Sequence, residues 1–226
     1  MANGIAGYTC LVRRSGTSTT VSGEACTNTT GNTFRITAAA KRVIDPNMPL
    51  NFQDGGATVS FSLISSLDFL NGVVTFATPR GGAITFNGNF LPITTSSEVF
   101  LESKSYKLGL KKDLLGTDVF SGTTSLIARR RIAGLEDVQL DVESLAQPAD
   151  LLVLDTAKDN GTVLVTEVYF GADTTPRFRG FCLVENVDRS ATVDGLVMTN
   201  VTFKIASQTN TTTGLTAGYT INVAQP

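Results

Sequence analysis

The chain has 226 residues, 42% of them hydrophobic and 17% charged, with a net charge of −2. That is enough for one large domain or a domain with an insertion, and a pI near 5.2 gives no whole-chain nucleic-acid footprint. Histidine is absent, which removes the usual general base at neutral pH, the Ser-His and Cys-His nucleophile pairs and most zinc sites.

No enzyme, cofactor or metal is therefore expected. Cys10, Cys26 and Cys182 lack metal-ligand spacing; Cys182 reads as a small buried hydrophobe. Cys10 and Cys26 could pair only in an oxidising compartment, and no signal peptide points to one. No apolar run approaches the ~20 residues of a membrane span, so the expectation is a soluble protein made in a cytoplasm. Abundant Thr and Gly, with Phe as the dominant aromatic, favour strands and turns over long helices.

Residues 1–31 are mostly Gly, Ser, Thr and Asn and read as an N-terminal arm or edge strand, with one strand-like piece at 8–13. Asn28, Asn160, Asn200 and Asn210 match glycosylation sequons, as chance allows in a Thr-rich chain. A short strand at 32–37 precedes Ala38-Ala39-Ala40-Lys41-Arg42, one helical turn, and Asp45-Pro46-Asn47, a forced turn. From 50 to 93 short strands alternate with turn signals. Asn71-Gly72, between LDFL and VVTF, is the strongest hairpin signal. Asp54-Gly55-Gly56 is a turn and not a phosphate loop, because no helix or Lys follows it and neither glycine-rich nucleotide motif occurs.

Residues 98–110 read as a longer strand carrying Glu102, Lys104 and Lys107, and 111–120 as holding one helical turn. Arg129-Arg130-Arg131 reads as a solvated loop or a subunit salt-bridge site, with an anion or nucleic-acid contact as the alternative. In 134–145, Val138, Leu140 and Val142 alternate with Asp137, Gln139, Asp141 and Glu143, the pattern of a strand with one wet face. The acids invite a glycosidase reading, but no second acidic strand or aromatic sugar platform accompanies them, so an exposed acidic face is preferred.

Residues 148–158 (PADLLVLDTAK) read as a helix with Leu151, Leu152 and Leu154 on its apolar face and Asn160-Gly161 as its stop. Residues 178–187 form a buried strand, 188–192 a polar turn, and 197–205 a strand with Val197, Thr199, Val201, Phe203 and Ile205 on one face. The Thr-rich end, 207–226, reads as a connector and then a strand-like piece that could reach a neighbour. Together these elements predict a mainly β fold, a β-sandwich or barrel with one flanking helix.

NTFRITAAAKRVIDPN, LDFLNGVVTF with GNFLPI, LKKDLLGTDVF ahead of RIAGLEDVQLDVE, and FRGF…VDGLV…VTFK together resemble the tail tube (major tail) proteins of long-tailed bacteriophages. The resemblance covers about residues 7–206. It implies six subunits in a ring, their sheets joining into one inner β-barrel, and rings stacked into a tube. The implied partners are other copies, the tape-measure protein, the tail terminator and tip proteins, and DNA in transit; no membrane is involved. The implied location is the virion tail, assembled in the host cytoplasm. On this reading 1–31 is an arm, 32–206 the core (32–93 open to reading as an inserted β subdomain) and 207–226 a C-terminal arm. Asp137, Asp141 and Glu143 are then candidates for a lumen-facing acidic wall. An immunoglobulin-like capsid or tail decoration protein is the alternative, and a carbohydrate-binding module or carbohydrate-active enzyme a weaker one.

Overall fold

The computed structural model describes residues 11–93, 103–120, 127–145, 148–169, 176–191, 197–217 and 219–221. They form a mainly β protein with two seven-stranded antiparallel sheets and one α-helix among the described residues. The first sheet contains β1 (Leu11–Arg14), β9 (Ser103–Phe120), β10 (Ile127–Leu145), β11 (Leu164–Tyr169), β12 (Phe178–Ala191) and β13 (Val197–Ile205). Its order is β1-β11-β12-β13-β10-β9, and a seventh strand, β16 (Tyr219–Ile221), pairs with β12.

Side chains alternate across this sheet, as the pleat requires. Val138, Leu140, Val142, Leu164, Phe178, Cys182, Val201 and Phe203 share one buried face. Helix α1 (Pro148–Asn160) covers that face with Leu154 and Ala157. Proline suits the first turn of α1, and Gly161 ends it at φ +61°, a conformation that glycine adopts without a Cβ penalty. One expectation fails in the helix: Leu152 is 70% exposed. Among the described residues of α1, Leu154 and Ala157 pack on the sheet and Asp155 pairs with Arg189 of β12.

The second sheet contains β2 (Thr19–Thr30), β3 (Thr33–Ile36), β4 (Asn51–Asp54), β5 (Ala57–Thr58), β6 (Ile64–Asp68), β7 (Val73–Phe76) and β8 (Ile84–Phe90), in the order β5-β4-β8-β2-β3-β7-β6. Its core is aromatic. Phe52 stands edge-on to Phe76 at 6.2 Å and tilted against Phe86 at 5.4 Å, and Phe34 meets Phe76 at 5.8 Å. Buried rings of this kind each stabilise by about 1.5–3 kcal/mol through burial alone. The same cluster takes in Val165 and Phe181 of the first sheet. The second sheet therefore packs on one end of the first sheet's other face, the side away from α1.

Several local expectations hold. Ala39–Lys41 is one 3₁₀ turn, and Asp45 accepts the Asn47 amide through Oδ1 at 2.9 Å in the turn after it. Gly55-Gly56 links β4 to β5 with φ of +59° and +90°. The β6–β7 hairpin closes through residues 69–72, with Asp68 Oδ1 accepting the amides of Leu70 and Asn71.

Others are corrected. The polar N-terminal stretch is not an arm throughout: β2 lies between β8 and β3, so a boundary at residue 31 falls inside the β2–β3 hairpin. Residues 19–25 of β2 pair with β8 and 26–30 with β3, and a bulge at Gly23 (φ +69°) is tied down by Asn87, whose Oδ1 accepts from Gly23 N at 2.7 Å. Residues 111–120 are strand and not a helical turn, because pairing with β10 overrides local preference. Arg129-Arg130-Arg131 stand within β10 opposite Asp118, Thr117 and Gly116, not in a loop. The 178–205 hairpin is longer than expected, with β12 continuing as an exposed strand to Ala191 opposite Val197.

The C-terminal stretch is also tied to the core. β14 (Gln208–Thr209) and β15 (Thr216–Ala217) form a small hairpin around Asn210, which is fully buried. Asn210 Nδ2 donates to Pro46 O at 2.7 Å and Met48 O at 3.0 Å, while its Oδ1 accepts the amides of Thr212 and Thr213. β16 then pairs with Phe178, Arg179 and Gly180 of the same chain. Residues 1–10 and 222–226, with Cys10 among them, lie outside the described residues.

Candidate functional site

The face of the first sheet opposite α1 divides in two. At the β11–β12 end it is covered by the second sheet. Across β12, β13, β10 and β9 it carries polar residues in cross-strand rows. Asp141 stands opposite Lys107 on β9 and Thr202 on β13; Glu143 stands opposite Ser105 and Asn200; Gln139 stands opposite Gly109 and Lys204. Residues directly opposite in an antiparallel pair share a face.

These groups are bonded to one another. Gln139 Nε2 and Thr202 Oγ1 both donate to Asp141 Oδ1, at 2.8 and 2.9 Å. Ser105 Oγ donates to Glu143 Oε2 at 2.9 Å. Lys204 Nζ stands 4.0 Å from Glu185, and Asn186 donates to Asp188 at 2.6 Å. A shallow groove of about 290 Å³ runs among them, lined by Ser105, Lys107, Asp141, Glu143, Asn200 and Thr202.

Asp141 and Glu143 thus lie on one polar face, with Val138, Leu140 and Val142 buried on the other, as the alternation predicts. Asp137 pairs by its backbone with Lys111, and its side chain lies outside the described residues. Sequence reasoning missed the cations on the same face. Lys107 is visible as a charge in 98–110, but only the β9–β10 register sets it opposite Asp141. Asp141, Glu143, Glu185 and Asp188 share this region with Lys107 and Lys204, so the wall is acidic and mixed.

A second polar constellation holds the two sheets together, and no sequence motif announced it. Arg13, Glu167 and Arg179 form one row across β1, β11 and β12. The Glu167 side chain is 1% exposed and receives Arg179 Nε at 2.5 Å and the Tyr169 hydroxyl at 2.6 Å. Arg13 lies over the Tyr169 ring, 4.6 Å from its centre. Arg179 reaches the second sheet, donating through Nη1 to Leu70 O at 2.9 Å and Asn71 Oδ1 at 3.2 Å. Burial, followed by the Glu167 hydrogen bond and charge, pushes the Tyr169 phenol up to about 12.

A larger cleft than that groove, about 770 Å³, opens beside α1 and is lined by Arg14, Ser15, Asp45, Leu91, Leu152 and Thr156 among others. Ser15 Oγ there accepts the Val165 amide at 2.9 Å. Both described thiols are pushed up to about 12, Cys26 by burial and then Glu24, Cys182 by burial against the Thr166 hydrogen bond. Neither is an activated nucleophile. Among the described residues no group of three His, Cys, Asp or Glu could hold a metal, and no helix is long and apolar enough to cross a membrane.

No protein-family model and no curated protein sequence matches this chain.

Proposed function

We propose that this chain is a structural virion protein, a tail tube subunit of a long-tailed bacteriophage. It polymerises as stacked hexameric rings around a channel that first holds the tape-measure protein and then passes DNA. The observation that carries this reading is the β9 edge. β9 runs for 18 residues along the border of its sheet, and among the described residues no strand lies on its outer side. β13 pairs with β10 only from Gln139 onward, so 111–120 of β9 and the facing part of β10 form a two-stranded ribbon.

A two-stranded ribbon is marginal by itself in water. At ~3.3 Å per residue, 111–120 extends roughly 33 Å beyond the main sheet. An open edge of this length is a template for another strand, and pairing with a second copy satisfies it. A heterologous contact of that kind repeats around a ring until it closes. The polar face of β10 and β13 then supplies a wet wall. Its excess of carboxylates leaves passing phosphates un-neutralised, without the counterion release that drives tight DNA binding.

Sedimentation over a concentration series, with negative-stain microscopy of the same samples, tests the reading. Rings or hollow tubes are expected; a monomer at high concentration, or isolated knobs on capsids, counts against it. Virions carrying Asp141→Lys and Glu143→Lys test the wall separately. Assembled tails with slowed DNA delivery are expected, and normal delivery would remove Asp141 and Glu143 from the channel while leaving the polymer intact.

A further inference from the structure

We infer that Arg35, Arg42 and Arg179 form a binding site for a tetrahedral oxyanion of the phosphate class where the two sheets meet. The inference does not depend on the tube reading. Three backbone relationships bring these residues together. Arg35 pairs with Val73 across β3 and β7. The preceding residue, Gly72, packs so closely on Arg42 that an added Cβ would lie 2.7 Å from the Arg42 carbonyl oxygen. Arg179 comes from the first sheet and holds Leu70 O and Asn71 Oδ1, the residues just before Gly72.

Two of the guanidiniums are fixed in place by backbone oxygens and still have N–H groups to offer. Arg42 donates through Nε to Ile36 O at 2.9 Å and through Nη2 to Thr37 O at 3.2 Å, which leaves Nη1. Arg179 uses Nε and Nη1, which leaves Nη2. Arg35 Nε is buried with no hydrogen-bond partner. Among the described residues no carboxylate pairs with Arg35 or Arg42, and Glu167 is already held by Arg179 and Tyr169.

Glu167 answers the charge of Arg179, so the cluster keeps the charges of Arg35 and Arg42 without a carboxylate partner among the described residues. Burial first, and then the like charges of Arg35 and Arg179, lowers the pKa of Arg42, consistent with all three cations lying close together. Guanidinium forks match oxyanions by paired N–H donors. One whole guanidinium from Arg35 with single nitrogens from Arg42 and Arg179, coming from two sheets, suits a tetrahedral anion, which offers oxygens in several directions, better than a carboxylate, whose two oxygens lie in one plane.

The test is thermal unfolding of the full chain in inorganic phosphate against chloride at matched ionic strength, with sulfate and acetate as further arms. Phosphate at tenfold its Kd should raise Tm by about 3–5 °C. Sulfate should act alike and acetate should not. Arg42→Gln should abolish the response, though loss of its two backbone bonds could lower the baseline. Arg35→Gln removes a guanidinium with no hydrogen bond among the described residues, so it should keep or raise Tm in chloride and still lose the phosphate response. A response equal to that in chloride, one matched by acetate, or one retained in Arg35→Gln overturns the site.

Discussion

Replacing Glu167 by Gln tests the charge that fixes Arg179, the residue that reaches from the first sheet to the second. The substitution keeps the shape of the side chain and one acceptor oxygen, which can still take Arg179 Nε, now at 2.5 Å; the amide NH2 replaces the oxygen that accepts Tyr169 OH, now at 2.6 Å, and the hydroxyl must turn to accept from it. What it removes is the negative charge facing the Arg179 guanidinium. Two unit charges about 4 Å apart attract by roughly 4 kcal/mol at an effective dielectric of ~20. The Arg179 side chain is 21% exposed, so water partly compensates it once the carboxylate is gone. The expected loss is about 2–3 kcal/mol, below the ~3–5 kcal/mol of a fully buried pair broken on one side. Urea unfolding followed by circular dichroism measures it, and the corresponding fall in Tm is about 4–12 °C for a chain of this size. A double variant, Glu167→Leu with Arg179→Met, removes both charges and should lose less than the sum of the single changes. Glu167→Gln within about 0.5 kcal/mol of the parent, the range of an ordinary surface change, would refute the claim that Glu167 fixes Arg179 for its contact with the second sheet.

The Tyr169 phenol gives a pH dependence of known sign. Its folded pKa of about 12 lies above the usual value of 10.0, so the stabilisation is fully present below pH 10 and is lost as pH rises towards 12; Tyr169→Phe should flatten that part of a stability–pH curve. Gly72→Ala should cost about 2–4 kcal/mol, because φ is +59° and the new methyl meets Arg42 O at 2.7 Å. Gly31→Ala, with φ +53° and open space, should cost only about 1–2 kcal/mol in the same denaturation assay. Asn210→Ala should cost about 2–4 kcal/mol by stranding Pro46 O and Met48 O, and should open 207–217 to limited proteolysis. Cys26 and Cys182 should resist iodoacetamide at pH 8 in the native protein and react once it is unfolded, as mass spectrometry of the peptides would report.

The sequence by itself determined what depends on near neighbours. Period-two alternation placed Val138, Leu140 and Val142 opposite Gln139, Asp141 and Glu143, because successive side chains of a strand must point apart. Proline at the start and Gly161 after the end bounded the helix, and glycines marked the tight turns. Tertiary structure decided what depends on which strands meet. Thr19–Thr30 is too polar to signal a place in a sheet, yet 19–25 pair with β8 and 26–30 with β3. Asn210 looks like a loop residue in a Thr-rich tail until the Pro46–Met48 carbonyls give its amide partners. The polar wall shows the same division: its acids were legible along one strand, but Lys107 became their neighbour only through the β9–β10 register. Glu167 and Arg179 stand 12 residues apart, and Arg179 reaches Asn71 across 108. No local pattern encodes such contacts, because their geometry exists only once two sheets have closed over a shared core.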